Sequence, residues 1–328
     1  MKVVITGGTG FVGTRLARKI LDKGTLAGPS GKQEPVDEIV LFDVVLPPSL
    51  PEGMDDRVSM RQGEIADKAA VDALIDRPDI GVFHLASVVS GGGEKDFDLA
   101  MRVNLDGGRY VLEACRALGS APRLLFTSSI ATFGGAAMPD VVGDLVKQTP
   151  QTTYGMTKAV LELMINDYTR KGFLDGRSAR LPTVIIRPGK PNAAASSFFS
   201  GMFREPLAGV ECKIPVPPDV RHPVIGYRTV VDGILALYEA DSDAIGDDRA
   251  FTLPSTSATV AELMEALDRV AGDRPLGKRT VEPDPFIQAI VKNWPRAAGA
   301  ERALALGLPH DNSLDDIVRA YIADYVDI

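Results

Sequence analysis

The sequence predicts an α/β fold, in which a doubly wound parallel sheet carries helices on both faces and a smaller C-terminal lobe follows. Three observations lead to this prediction. Short β-branched segments alternate with helical patterns of ten or more residues, an order typical of parallel sheets. A glycine-rich turn directly follows the first of these segments. The alternation ends near Pro188, where stretches rich in glycine and proline begin.

The individual elements follow from local periodicity and from turn residues. Strands are expected at residues 2–6, 38–43, 58–62, 80–86, 123–129 and 182–188. Helices are expected at 11–24, 67–76, 95–118, 153–171, 229–241, 259–272 and 313–325, and a loop at 25–37. Residues 1–188 then form the sheet domain, to which 220–250 return. Residues 189–219 and 251–328 form the smaller lobe, which is expected to bind the substrate.

Composition and charge exclude several classes of partner. The chain has 328 residues, of which 45% are hydrophobic and 24% charged, as in an ordinary globular protein. Its formal net charge is −8 and it has no long basic run, which argues against nucleic acid or an anionic membrane surface as a partner. An anionic substrate would therefore need local arginine or lysine side chains.

Cysteine and histidine usage bears on metals and on the cellular compartment. The two cysteines and three histidines are scattered without metal-ligand spacing, so no metal site and no disulfide framework are expected. No segment reaches the roughly 18 apolar residues that a membrane span needs. The N-terminus does not have the pattern of a signal peptide, because glycines follow a very short apolar run. A cytoplasmic location is expected.

The glycine-rich turn is TGGTGFVG at residues 6–13. It contains both Gly8-x-Gly10-x-x-Gly13 and Gly7-x-x-Gly10-x-x-Gly13. The pattern alone is weak, but a strand precedes it and a helix follows, as in Rossmann-type dinucleotide sites. The free N–H groups of the helix would then face a pyrophosphate. The alternative is a glycine-rich turn that binds no ligand.

Asp43 ends the second strand, where a carboxylate can bind the adenosine ribose hydroxyls. Such a carboxylate repels a 2′-phosphate, and no arginine directly follows it. NAD is therefore favoured over NADP, and residues 1–188 are predicted to be an NAD-binding Rossmann domain. The alternative is that Asp43 is an ordinary turn residue.

Four polar residues are candidates for chemistry. Ser129 ends the strand at 123–129, at the edge where parallel sheets bind ligands, although serine is also a common cap residue. Asn104 falls within an apolar helical stripe, where it either satisfies neighbouring backbone or holds a water chain. Tyr154 and Lys158 lie one helical turn apart, which fits either an ordinary helix surface or a proton-transfer pair.

These motifs occur in one order: TGGTGFVG, HLAS (84–87), Asn104, TSSIATFG (127–134), YGMTK (154–158) and RPG (187–189). In this order the chain resembles the extended short-chain dehydrogenase/reductase family, which includes nucleotide-sugar epimerases and dehydratases. The likeness covers about residues 1–190. The segments 84–107 and 187–198 more narrowly resemble members that oxidise the 2-hydroxyl of a four-carbon sugar acid.

The resemblance implies that Tyr154 is the catalytic acid/base, assisted by Lys158 and Ser129, with Asn104 beside them. A lysine ammonium would favour the tyrosinate, whose free pKa near 10 is otherwise too high. The resemblance implies cofactor contacts at Gly7, Gly10, Phe11, Val12, Gly13, Asp43, Glu64, Ile65, Leu85, Ala86, Tyr154, Lys158 and Pro188. The expected substrate contacts are Ser87, Ser129, Tyr154, Lys190, Arg221 and Arg228, the last three as carboxylate ligands.

The chain also departs from the family pattern. Glu64 stands where an aspartate is common, which puts the adenine contact in doubt, and the stretch 251–260 lacks an Asn-x-Gly pattern of nucleotide-sugar enzymes. The expected activity is NAD-dependent oxidation of a small sugar acid such as D-erythronate. The alternatives are a nucleotide-sugar epimerase or dehydratase and a non-catalytic NAD-sensing protein. A homodimer formed by helices 95–118 and 153–171 is expected from the resemblance.

Overall fold

The computed structural model describes residues 1–189 and 194–327. Its strands are β1 (Lys2–Thr6), β2 (Thr25–Ala27), β3 (Gln33–Pro35), β4 (Glu38–Asp43), β5 (Val58–Gln62), β6 (Ile80–His84), β7 (Arg123–Ser129), β8 (Val141–Val142), β9 (Asp175–Leu181), β10 (Thr183–Ile185), β11 (Cys212–Ile214), β12 (Arg221–Gly226), β13 (Ala250–Thr252), β14 (Thr256–Thr259), β15 (Arg279–Val281) and β16 (Ala297–Ala298). Its helices are α1 (Phe11–Lys23), α2 (Lys68–Leu74), α3 (Ser90–Lys95), α4 (Phe97–Ala100), α5 (Gly107–Leu118), α6 (Thr153–Arg170), α7 (Phe198–Leu207), α8 (Tyr227–Glu239), α9 (Ser242–Ile245), α10 (Val260–Ala271), α11 (Pro285–Val291), α12 (Glu301–Ala305) and α13 (Leu314–Tyr325).

Seven strands form a parallel central sheet in the order β13-β9-β7-β6-β1-β4-β5. This confirms the predicted doubly wound α/β fold. After β1 the chain adds β4 and β5 on one side of it, and then β6, β7, β9 and β13 on the other side. The direction of strand addition therefore reverses between β1 and β6. In such sheets ligands bind outside the carboxyl ends of the strands at the point of reversal. Thr6, Asp43, His84 and Ser129 all end strands at that edge.

Apolar side chains cover both faces of the sheet. On one face α1 and α8 pack through residues such as Leu16 and Ile234. On the other face α2, α5 and α6 pack through residues such as Val111 and Ile165. Because both faces of the sheet are buried, its inner strands β1, β4, β6 and β7 are mainly apolar, which made them predictable from the sequence.

A second cluster of buried residues forms the smaller lobe. It joins the three-stranded sheet β10-β12-β14 and the pair β11-β15 to α7, α10 and α13. Phe199, Ile214 and Leu263 are fully buried in it. This lobe covers part of the carboxyl edge of the central sheet, because β10 continues directly from β9.

The structure corrects the predicted strand at 182–188. The sixth central strand is instead β9, which was not predicted, and the segment 183–185 forms β10 in the small sheet. β9 was missed because its sequence DGRSARL has no apolar run; buried ion pairs neutralise its charges, as Arg177 contacts Asp175 and Arg180 contacts Glu162.

Smaller differences concern the boundaries of elements. β13 pairs with β9, so residues 251 and 252 lie in the central sheet and not in the smaller lobe. The predicted helix at 95–118 is divided into α4, a π-helical segment (Met101–Asp106) and α5. The predicted loop at 25–37 contains the hairpin β2–β3, and α7 was not predicted. Among the residues described, no helix combines the length and apolar character needed to cross a membrane.

Candidate active site

The glycine loop leaves room for a ligand at the N-terminus of α1. Gly7 has a φ of +68°, and a Cβ there would lie 3.0 Å from the backbone nitrogen of Ala86. A Cβ on Gly13 would lie 2.6 Å from the carbonyl oxygen of Gly7. Gly10 caps α1 without any side chain over its first N–H groups. These groups are therefore available to a pyrophosphate, which fits a dinucleotide.

The Asp43 carboxylate lies directly beside this loop. Its Oδ2 accepts hydrogen bonds from the Thr9 backbone N–H (3.2 Å) and hydroxyl (2.9 Å), and its Oδ1 accepts one from the Val44 N–H (2.9 Å). The carboxylate is half-buried and still has acceptor positions open, so it can also bind hydroxyl groups. Glu64 follows the next strand and is exposed, while Ile65 is buried.

Tyr154 and Ser129 meet at the end of β7. The Ser129 hydroxyl accepts a hydrogen bond from the Ala131 N–H (3.1 Å), which orients it at the strand end. Tyr154 lies in the first turn of α6, whose start is fixed by the Thr152 hydroxyl. Burial raises the pKa of Tyr154, while the nearby Ser129 hydroxyl and the charge of Arg187 act in the opposite direction.

Lys158 lies one turn after Tyr154 and is buried. Its Nζ donates to the Thr127 carbonyl oxygen (2.7 Å) and lies 4.5 Å from the centre of the Phe126 ring. Burial lowers the pKa of Lys158 to about 7, against the charge of Glu162 one turn further along, which acts to raise it. The ammonium is therefore poised to gain or lose its proton near neutral pH.

Glu162 belongs to a separate buried network beneath the site. Arg180 contacts both of its carboxylate oxygens, at 2.7–3.1 Å, and Gln148 donates to it as well. The Ser128 hydroxyl also donates to Glu162. Both adjacent serines line the cavity, but the Ser128 hydroxyl is engaged by the buried Glu162 carboxylate, which leaves the Ser129 hydroxyl as the candidate for chemistry.

Asn104 ties the helix preceding α5 to the loop after β6. Its Oδ1 accepts from the Val88 N–H (2.7 Å) and the Ser87 hydroxyl (3.1 Å), and its Nδ2 donates to the Val88 carbonyl oxygen (3.0 Å). A contact of 3.4 Å reaches the Thr157 hydroxyl on α6. Asn104 therefore satisfies backbone groups of the neighbouring loop, which is one of the two roles expected from the sequence.

A cavity of about 260 Å³ lies between the sheet edge and the smaller lobe. The catalytic candidates Ser129, Tyr154 and Lys158 line its floor. The other lining residues that bear on the argument are Val12, Leu85 and Ser87 from the sheet domain, and Thr183, Arg187, Ser196, His222 and Trp294 beyond it.

Comparison with known proteins agrees with this geometry. Residues 3–248 match the model of the NAD dependent epimerase/dehydratase family. The chain belongs to that family. This confirms the resemblance drawn from the motifs, and NAD is the cofactor of the family, in agreement with the glycine loop.

Two curated relatives span nearly the whole chain. A D-erythronate dehydrogenase from Cupriavidus necator is 48% identical over 99% of this chain and 98% of its own length. A D-erythronate dehydrogenase from Haemophilus influenzae is 39% identical over 98% of this chain and 99% of its own. A solved structure described as a nucleoside-diphosphate-sugar epimerase from Agrobacterium tumefaciens is 39% identical, with a TM-score of 0.92, over 100% of this chain and 95% of its own.

Two of the three predicted carboxylate ligands, Arg221 and Arg228, are not among the residues that line the cavity. Arg221 is exposed and contacts Glu262, and Arg228 is exposed and contacts Asp324. Both expectations are wrong, because each guanidinium already has a carboxylate partner away from the site. Lys190 lies outside the described residues.

Sequence reasoning also missed residues that do line the cavity. Arg187 belongs to the RPG motif, which does not by itself predict a substrate ligand. His222 and Trp294 come from segments without a recognisable motif. The position of Arg187 immediately before the predicted contact Pro188 was the one signal that could have identified it.

Proposed function

We propose that the protein is an NAD-dependent dehydrogenase that oxidises the 2-hydroxyl of D-erythronate to 2-dehydro-D-erythronate. The observation that carries this proposal is the convergence of Ser129, Tyr154 and Lys158 on one small cavity beside the glycine loop. The two relatives named D-erythronate dehydrogenase, at 48% and 39% identity over nearly the full length, support the choice of substrate.

The three side chains divide the work of removing a proton from a substrate hydroxyl. The phenolate of Tyr154 takes the hydroxyl proton as general base, and the Ser129 hydroxyl donates a hydrogen bond to the reacting oxygen. The Lys158 ammonium stabilises the phenolate by its charge. NAD, when bound, supplies the acceptor for the hydride that leaves the substrate carbon.

The size of the cavity supports a small substrate. At about 260 Å³ it lies at the lower limit of sites for drug-sized ligands, which occupy roughly 300–1,000 Å³. A four-carbon acid fits this space more readily than a nucleotide sugar does. The hydroxyls of Ser87, Thr183 and Ser196 on its walls can bind the remaining substrate hydroxyls.

The direct test is a panel of sugar acids with three to six carbons, assayed by NADH absorbance. We expect turnover of D-erythronate with NAD, and much weaker turnover with NADP. A Tyr154→Phe variant should bind NAD normally and show no turnover, which separates an enzyme from an NAD-sensing protein. Wild-type protein that is inactive with every acid would contradict the proposal.

A second candidate is a nucleotide-sugar epimerase, favoured by the description of the similar Agrobacterium tumefaciens structure. Epimerisation oxidises and re-reduces the substrate, so tightly bound NAD would remain without a net change in NADH absorbance. Incubation with UDP-sugars followed by chromatography of the products distinguishes the two. Conversion of a UDP-sugar together with inactivity on D-erythronate would favour the epimerase.

We also propose that the protein is a cytoplasmic homodimer. Phe97 on α4 and Leu163 on α6 are 56% and 65% exposed, which is high for large apolar side chains on neighbouring helices. Pairing these helices with those of a second copy would bury both. A Leu163→Glu variant should shift the mass in light scattering from dimer to monomer; a wild-type monomer would contradict the proposal.

A further inference from the structure

Arg187 is a cation in the cavity for which the described part of the chain offers no carboxylate partner. Its side chain is half-buried and lines the cavity together with Ser129 and Tyr154. Its Nε is buried and has no hydrogen-bond partner. Within residues 1–189 and 194–327, no carboxylate forms a salt bridge with it.

Four buried arginines in or beside the central sheet are different. Each forms a salt bridge with a carboxylate: Arg123, Arg177 and Arg249 with Asp175, and Arg180 with Glu162. Such pairing is expected, because an isolated charge is costly to remove from water. Arg187 therefore differs from these four arginines, because no carboxylate among the described residues pairs with its half-buried guanidinium.

The charges around Arg187 do not change this conclusion. Arg204 is close enough that its charge, together with burial, lowers the pKa of Arg187. Arg204 is itself paired with Glu205, so that carboxylate is already engaged. Tyr154 is the group on the cavity floor whose charge interacts favourably with Arg187.

The backbone of Arg187 is held in place from the smaller lobe. Its N–H lies 3.1 Å from the Ser200 hydroxyl, and its carbonyl oxygen accepts a hydrogen bond from Arg204 Nη1 at 2.9 Å. Ser200 and Arg204 are four residues apart on α7 and therefore share one face of that helix. The base of the side chain is thus fixed before any ligand arrives, which favours binding.

We propose that Arg187 binds the carboxylate of the substrate while Ser129 and Tyr154 engage the adjacent hydroxyl. This inference rests on the proposed oxidation of a 2-hydroxy acid. In such an acid the carboxylate carbon is bonded to the reacting carbon, so the anion must lie close to the Tyr154 hydroxyl. The planar guanidinium can then donate two parallel hydrogen bonds to the carboxylate.

The test compares D-erythronate with its neutral amide, D-erythronamide, in variants of Arg187. In Arg187→Gln, kcat/KM for the acid should fall about 10- to 100-fold, and that for the amide should hardly change. Arg187→Lys keeps the charge but loses the planar fork, so it should recover part of the preference for the acid. The control is Arg228→Gln, which removes an exposed arginine outside the cavity. It should leave kcat/KM unchanged for both the acid and the amide.

Two outcomes would overturn the assignment. An equal fall for acid and amide would mean that Arg187 only supports the fold. A raised KM for NAD with an unchanged ratio of acid to amide would mean that the arginine serves the cofactor's pyrophosphate.

A binding measurement separates this proposal from the proposed function. Trp294 is the single tryptophan of the chain and lines the same cavity, so its fluorescence should respond to D-erythronate without any turnover. Binding that is lost in Arg187→Gln but kept in Arg228→Gln supports the assignment even if the reaction is a different one. Equal binding by both variants would refute it.

Discussion

The Nζ of Lys158 donates a hydrogen bond to the Thr127 carbonyl oxygen at 2.7 Å, and it lies 5.4 Å from the centre of the Tyr154 ring. The lysine is thus anchored to the end of β7, and it acts on the tyrosine through its charge. Burial lowers the pKa of Lys158 to about 7 and raises that of Tyr154. The first proton lost from the pair therefore leaves near neutral pH, and these shifts place the remaining proton mainly on Tyr154. The form with a tyrosinate beside an ammonium is then a minor one in equilibrium with it.

The rate of oxidation should rise with pH through this transition. Below about pH 7 both groups hold their protons and Tyr154 cannot act as a base. Loss of one proton allows the form with a tyrosinate beside a lysine ammonium, which is the active one. We expect kcat/KM for D-erythronate to increase up to an apparent pKa near 7 and then to level off.

The same profile in Lys158→Met provides the control. Without the ammonium, the tyrosinate loses its stabilising charge, while burial continues to raise the pKa of Tyr154. The rise of kcat/KM with pH should therefore shift well into the alkaline range. Two results would contradict this account. One is a wild-type kcat/KM that falls between about pH 6 and 8; the other is a Lys158→Met profile that rises with the same apparent pKa as the wild type.

Substitution of the two adjacent serines should separate chemistry from stability. Ser129→Ala removes the hydrogen bond to the reacting oxygen and should lower kcat by roughly 100-fold. Ser128→Ala keeps the Ser129 hydroxyl in place but removes a donor to the buried Glu162 carboxylate. It should lower the free energy of unfolding by about 1–3 kcal/mol with kcat nearly unchanged.

Steady-state kinetics and denaturant unfolding of both variants test this pair of expectations. If Ser129→Ala and Ser128→Ala have comparable kcat values, Ser129 does not take part in the reaction. A large loss of kcat in Ser128→Ala without loss of stability would show that the buried network contributes directly to the reaction.

The preference for NAD should depend on Asp43. Replacement by Asn keeps the shape of the side chain and removes the charge that repels a 2′-phosphate. The ratio of kcat/KM for NAD to that for NADP should therefore fall at least about tenfold, since one repulsive pair at such a site corresponds to roughly 1.4 kcal/mol. Glu64→Gln, an exposed carboxylate at the end of the next strand, is the matched control.

An unchanged ratio in Asp43→Asn would show that the carboxylate does not face the ribose. If the NAD to NADP ratio also falls in Glu64→Gln, both carboxylates lie near the adenosine. Glu64 would then contact the cofactor although the family commonly has an aspartate at this position.

The residues that belong to compact motifs were predictable from the sequence. Ser129, Tyr154 and Lys158 meet because a strand end and one helical turn fix their positions locally, and the parallel sheet brings them together. Asn104 was recognised because an amide within an apolar stripe needs partners. The partners themselves, on the loop at 87–88, could not be read from the stripe.

The carboxylate ligand was not predictable, because availability of a charge is a property of the folded protein. Charge alone does not distinguish Arg187, Arg221 and Arg228 in the sequence, although Arg187 precedes the predicted contact Pro188. In the fold Arg187 lines the cavity, whereas Arg221 and Arg228 are exposed and pair with Glu262 and Asp324 from distant segments. The charged strand β9 was missed for the same reason, because its ion pairs form only in the fold.

Acid should destabilise the smaller lobe through His222. This residue is buried, with Nδ1 3.0 Å from the Pro295 carbonyl oxygen and Nε2 2.8 Å from the Thr183 hydroxyl. Burial lowers its pKa from 6.5 to about 4, against the hydrogen bond to Pro295, which raises it. Between these values the unfolded chain binds a proton that the folded protein does not, so the free energy of unfolding falls as the pH falls.

Each pH unit below 6.5 should therefore remove about 1.4 kcal/mol through His222, down to about pH 4. A His222→Gln variant loses its hydrogen bonds at every pH but lacks this proton linkage. The stability gap between wild type and variant, measured by urea unfolding, should consequently narrow on acidification. His310→Gln, at an exposed position, should show the wild-type pH dependence. A gap that stays constant from about pH 7 to 4.5 would mean that His222 is not held neutral by the fold.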